Sequence, residues 1–179
     1  MVIKKHNSPL KLGYPIHIVD DLYSFSTIEG NKIAATFTKV SFELSDIIGY
    51  FKEEIEIFEY SFERTKFVSS KFDKRISLTI LNIAVDFLSR NKIAFFTADS
   101  PTRKDKELFK LYDIWYRNYL TQYINKLNKV VVIGTNEIYF SCIMRKDFVL
   151  THEELDKIFE QVLLELYPNS YIRKYEDSI

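Results

Sequence analysis

The apolar run 93-IAFF-96 limits the fold more than any other stretch, because segments of helical period stand on both sides of it. Before it, Ile76, Ile80, Ile83 and Phe87 form one stripe, and Leu81, Val85 and Leu88 form a second. After it, Leu108, Leu111, Tyr112, Trp115 and Tyr119 mark another helix, with Phe109, Tyr116 and Leu120 widening its face. Four apolar residues are too few for a buried helix, so the run reads as an interior strand. The stretch 54-EIEIFEYSF-62 is rich in strand formers and supplies the strand before the first helix. The step from 54 to 97 is then long enough for a right-handed parallel crossover. A helix apolar on two sides, as the first one is, packs against a sheet and against something else.

The other segments fill in the sheet. In 22-LYSFSTI-28, Tyr23, Phe25 and Thr27 alternate with Ser24 and Ser26, as a half-buried strand does. Gly30 in 29-EGN-31 allows a turn, and 32-KIAATFTKVSF-42 returns as the second strand of a hairpin. The alternation of 54–62 slips at Ile57-Phe58, which means either a bulge or a strand buried on both faces. Residues 45–52, SDIIGYFK, read as a short helix or a loop. Strands are expected at 130-VVVI-133 and 138-IYFSCIM-144 around the turn 134-GTNE-137. A last helix opens at 151-THEE-154 with capping-box spacing, and Leu155, Ile158, Phe159, Val162 and Leu166 form its core face. The order β-β-β-α-β-α-β-β-α implies an α+β fold with one mixed, mostly antiparallel sheet and helices packed on it. Residues 1–20 read as an N-terminal arm, 21–168 as a single domain and 169–179 as a C-terminal tail.

Composition narrows the function. The hydrophobic share of 46% is ample for a core, and 25 basic residues against 25 acidic ones disfavour a general nucleic-acid binder. The single Cys142 excludes an intramolecular disulfide and fits a reducing compartment. The amino terminus has no apolar core of a signal peptide, and no run approaches a membrane span, so a cytoplasmic protein with no membrane contact is expected. His6, His17 and His152 lack metal-ligand spacing, and no nucleophile elbow, phosphate loop or dinucleotide fingerprint is present.

The loop 97-TADSPTRKDK-106 leaves the carboxyl end of the interior strand. Helix chemistry alone can account for it: Thr102 with Asp105 has capping-box spacing, or Ser100 caps with Pro101 at the first helical position. The alternative is a ligand site, since loops at strand carboxyl ends gather ligands and helix starts attract anions. Asp99, Ser100, Arg103 and Lys104 would line it, with Lys71, Lys74 and Arg75 from the preceding loop and helix start adding positive charge. Charge is also segregated along the chain. Residues 43–63 hold seven acidic residues against Lys52, whereas residues 64–75 hold five basic residues against Asp73. Intradomain pairing would explain this, as would complementary surfaces for a protein partner or a homodimer.

Two resemblances follow from these residues. The segments 23-YSFST-27 with Gly30, 60-YSF-62, 73-DKRISLTI-80, 99-DS-100 and 112-YDIWY-116 resemble a small uncharacterised bacterial domain family. That family usually has Cys before the Asp-Ser pair and Asp-Gly-Arg after it, where this chain has Ala98 and 101-PTRK-104. The resemblance implies no activity. The order of elements, in turn, resembles the GNAT-type acetyltransferase fold, and 105-DKELFKLYD-113 is similar to a run of that fold. By that likeness Tyr112 would protonate a departing coenzyme A thiolate, as a catalytic tyrosine, with acetyl-CoA as cofactor. Those enzymes bind the cofactor's pyrophosphate with a glycine-containing loop, and the corresponding 68-VSSKFDKRI-76 has no glycine. The reading preferred on sequence is a non-catalytic binding or interaction module on a GNAT-like frame, with no cofactor. The alternatives are an N-acyltransferase with a degenerate cofactor loop, and a weak nucleic-acid binder.

Overall fold

A computed structural model of the chain describes residues 13–20, 22–40, 55–69, 73–88, 92–98, 104–148 and 150–175. The stretch 45–52 lies outside them, as do Lys71, Asp99, Ser100 and Arg103. The strands are β1 (His17–Val19), β2 (Leu22–Ser26), β3 (Lys32–Val40), β4 (Glu56–Lys66), β5 (Lys92–Thr97), β6 (Ile124–Ile133), β7 (Asn136–Arg145) and β8 (Tyr171–Lys174). The helices are α1 (Lys74–Phe87), between β4 and β5; α2 (Asp105–Tyr119), between β5 and β6; and α3 (His152–Leu166), between β7 and β8. All eight strands form one sheet in the order β1-β2-β3-β4-β5-β7-β6-β8. β4 and β5 run parallel, and the other neighbours are antiparallel. The fold is therefore the expected α+β arrangement. β1 and β8 extend the sheet at its two ends, in spans that the sequence presents as arm and tail.

Period-two alternation sorts the sheet's side chains onto two buried faces. Phe25, Ile33, Tyr60, Ala94 and Ile143 share one core with Ile80, Ile83 and Ala84 of α1 and with Leu120 just past α2. Ile57, Ile93, Phe95, Phe140, Cys142 and Met144 meet Leu155, Ile158, Phe159, Val162 and Leu163 of α3 on the other. The adjoining Ile57 and Phe58 are both buried, so β4 is covered on both faces at that point. The irregularity in its pairing with β3 falls between Lys32 and Ile33 instead.

The segment before β1 lies against α1 at Thr79 and Asn82. The Tyr14 amide donates to Thr79 Oγ1 at 2.7 Å. A Cβ at Gly13 would lie 3.0 Å from Asn82 Nδ2, so the close approach there suits glycine. Helix ends follow local chemistry in two of three cases. Asp73 caps α1 by accepting from the Arg75 amide, and Thr151 and Glu154 form the expected capping box on α3. α2 differs: its N-cap is Lys104, with no side-chain cap, rather than Ser100 or Thr102. Asp105 and Glu107 in its first turn instead complement the positive end of the helix dipole.

Candidate functional site

β4 and β5 pair only from Glu56 with Lys92 to Glu59 with Phe95. β4 then continues to Lys66 beside β3, while β5 stays with β7 through Thr97. The two parallel strands part, and a cleft of 580 Å³ opens between them. That volume lies within the ~300–1,000 Å³ typical of ligand sites. Glu59, Tyr60, Ser61 and Phe62 of β4 form one wall, and Thr97 and Ala98 at the end of β5 form the opposite one. Asp105 and Tyr112 of α2 close one side; Glu137, Ile138 and Tyr167 close the other.

Tyr112 is buried in an aromatic cluster. Its ring centroid lies 5.5 Å from that of Phe62, 5.8 Å from Phe96 and 5.4 Å from Trp115. Only 9% of the residue is exposed, and its hydroxyl makes no hydrogen bond to any described residue. Burial pushes its phenol above the ordinary tyrosine value, so at neutral pH the hydroxyl keeps its proton and remains a donor. Leaving a buried donor unpaired costs about 1–3 kcal/mol. Tyr60, Phe62 and Tyr112 also border a second cavity of 40 Å³ on the α1 and α2 side of the sheet.

Lys126 of β6 borders that smaller cavity, with its side chain only 2% exposed. Its ammonium lies 5.4 to 5.9 Å from the ring centroids of Phe96, Phe109 and Tyr116. It donates to Asp113 Oδ1 at 3.1 Å, and Asn128 Nδ2 donates to the same oxygen at 3.0 Å. Arg117 pairs with Asp113 Oδ2 at 2.6 Å. Burial pushes the Asp113 carboxyl up, but Lys126, Asn128 and Arg117 outweigh it and hold the group below its ordinary value. For Lys126, burial dominates over the attraction of Asp113, and the pKa falls from 10.5 to about 8.

This shift sets a direction for stability. Between about pH 8 and pH 10.5 the unfolded chain still holds the lysine proton and the folded chain has lost it. Raising the pH through that window therefore favours the fold, by on the order of 1 kcal/mol per unit. Urea unfolding at pH 8, 9 and 10 should show wild type gaining on Lys126→Met as pH rises. Parallel curves for the two proteins would refute the assignment.

The start of α1 is occupied by the protein's own groups. Asn31 is 1% exposed, and its Oδ1 accepts from the backbone amides of Val68 at 2.7 Å and Ser69 at 3.1 Å. Its Nδ2 donates to the Ser69 carbonyl at 3.0 Å. Asp73 Oδ1 accepts from the Arg75 amide at 2.8 Å, and Asp73 Oδ2 accepts from the Tyr14 hydroxyl. The Arg75 guanidinium stacks over the Tyr14 ring at 4.0 Å, and Lys74 lies 5.3 Å from the Tyr119 ring.

Parallel pairing of β4 and β5 puts the carboxyl ends of these two strands at the same edge of the sheet. Of the residues singled out on sequence, Tyr112 lines the cleft, Lys74 and Arg75 open α1 against aromatic rings, and Lys104 caps α2, exposed. Sequence reasoning missed Asn31, Asp113, Lys126 and Lys129. Only the Asp113–Arg117 spacing of four residues carried a readable signal. Of the described acidic residues of 43–63, Glu56 pairs elsewhere than with the basic segment after them. Glu56 meets Lys39 at 2.8 Å and Lys92 at 3.9 Å. Among the described residues no cluster could hold a metal ion, and no helix is long and apolar enough to cross a membrane.

Strand order and the parallel step beside α1 make the frame broadly GNAT-like. No protein-family model matches the chain, and neither does any curated protein or solved structure.

Proposed function

We propose that the protein is a non-catalytic binding module on a GNAT-like frame, with its ligand in the cleft between β4 and β5. One observation carries this reading. In the stretch where the resemblance would seat a cofactor's pyrophosphate, the Val68 and Ser69 amides are taken by Asn31 and the Arg75 amide by the Asp73 carboxylate. An aspartate at that helix start repels an anion where a phosphate-binding enzyme needs to attract one. The cleft itself remains available, with a polar rim and an aromatic wall.

A second reading, N-acyl transfer from acetyl-CoA, draws on the hydroxyl of Tyr112, a proton donor at the cleft wall with no partner among the described residues. Thermal unfolding with and without acetyl-CoA separates the two, since a ligand of the native state raises the melting temperature by mass action. We expect no shift at millimolar acetyl-CoA. A dose-dependent rise, with acyl transfer to an amine that falls at least tenfold in Tyr112→Phe, would put the acyltransferase reading in its place.

A further inference from the structure

We propose that the occupant of the cleft is an extended peptide segment, which adds a strand to the open edge of β4. The inference rests on the binding-module reading and specifies its ligand class.

The first observation is the edge itself. A strand directs the amides and carbonyls of its successive residues alternately to its two neighbours. From Tyr60 to Lys66, β4 has β3 on one side, and among the described residues no backbone pairs with it on the other. This is an interruption inside an eight-stranded sheet, because β5 continues the sheet through β7. Tyr60, Ser61 and Phe62 of this edge line the cleft, and the edge, open among the described residues as far as Lys66, offers a peptide a row of donors and acceptors at strand spacing.

The second observation is independent of the backbone. The Tyr112 hydroxyl is buried, protonated and without a partner among the described residues, and it lines the same cleft. A donor so placed fits a carbonyl oxygen, which every residue of a peptide carries.

The third is the alternation of the wall. Phe62 points into the aromatic cluster with Tyr112, whereas Glu59 and Ser61 take the opposite face of β4. An added strand would find an apolar surface on one side and a polar one on the other, and that contrast would select its side chains. A thiol cofactor's amide-bearing arm could use the same edge. The peptide is favoured because Asn31 and Asp73 take the Val68, Ser69 and Arg75 amides, which a cofactor's phosphates would need.

The full chain can be used to select binders from a random heptapeptide phage library, and the enriched peptides can be synthesised and measured by calorimetry. N-methylating each peptide amide in turn should weaken binding at least tenfold at alternate positions and less than about threefold at those between, because only alternate amides face β4. Bound peptide should slow hydrogen exchange in 60–66, and Tyr112→Phe should weaken binding about tenfold. Enriched peptides that lack the two-residue methylation pattern, or that protect a different segment, overturn the inference and leave the binding-module reading standing. Failure to enrich any peptide, together with no thermal shift from acetyl-CoA, likewise overturns the inference and spares that reading. Acetyl-CoA that raises the melting temperature and displaces the peptide overturns both.

Discussion

Asp113→Ala is expected to destabilise the fold by about 3–5 kcal/mol, the range for stranding one member of a buried ion pair. Asp113 is 7% exposed and is the only carboxylate described as bonded to Lys126, whose side chain is 2% exposed. Without it the ammonium faces Phe96, Phe109 and Tyr116, and ring attraction of about 2 kcal/mol does not replace a carboxylate. Lys126 has one escape. Its pKa already lies near 8, so it can shed its proton in the variant, which caps the loss toward the lower end of the range. Asn128 also loses its acceptor for Nδ2. The double variant Asp113→Ala with Lys126→Met removes both charges and should recover at least about 1 kcal/mol over the single change. Urea unfolding of the four proteins in the cycle gives the coupling directly. Additive losses would mean that the pair does not act as one unit.

Phe109→Ala should cost about 3–5 kcal/mol for a different reason, the cavity left in a packed cluster. Phe109 is fully buried, and its ring lies 5.4 Å from that of Tyr139 and 4.8 Å from that of Tyr175. Tyr175 follows β8, and its amide donates to the Asn128 carbonyl at 3.2 Å. Loss of the ring therefore loosens β8 as well as the core. Hydrogen exchange at 171–175 should accelerate more than at α1, while Phe109→Leu should cost about 1.5 kcal/mol or less. Equal acceleration throughout the sheet would show that Phe109 has no special tie to β8.

The helices are legible wherever apolar spacing runs unbroken. α1 buries residues of both its stripes, and α3 buries Leu155, Ile158, Phe159 and Val162 as their spacing predicts. The pattern misleads at the end of α3, where Leu166 is 41% exposed and Leu163 is fully buried. Both positions continue the same face, and only the departure of the chain at Tyr167 chooses between them. Strand formers mark β6 only at 130-VVVI-133, but the strand begins at Ile124. Its first half, 124-INKLNK-129, looks too polar for an interior strand.

That segment shows where the limit lies. Lys126 turns to Asp113 on α2, while Lys129 turns to Asp156 at 3.1 Å and Glu160 at 2.7 Å on α3. Each lysine is buried because a carboxylate from another element meets it, and no local pattern can announce a partner more than ten residues away. The same holds for Asn31, whose place in a turn is readable but whose hold on Val68 and Ser69 is not.

Hydrophobic period is a local property. It is enough to specify the kinds of element, their order and the parallel step on which the α+β frame depends. That period does not say how far β4 and β5 remain paired, nor that a cleft opens where pairing stops. Contacts between elements distant in the chain set which charges are buried and which helix start is already filled, and those contacts exist only once the sheet has assembled.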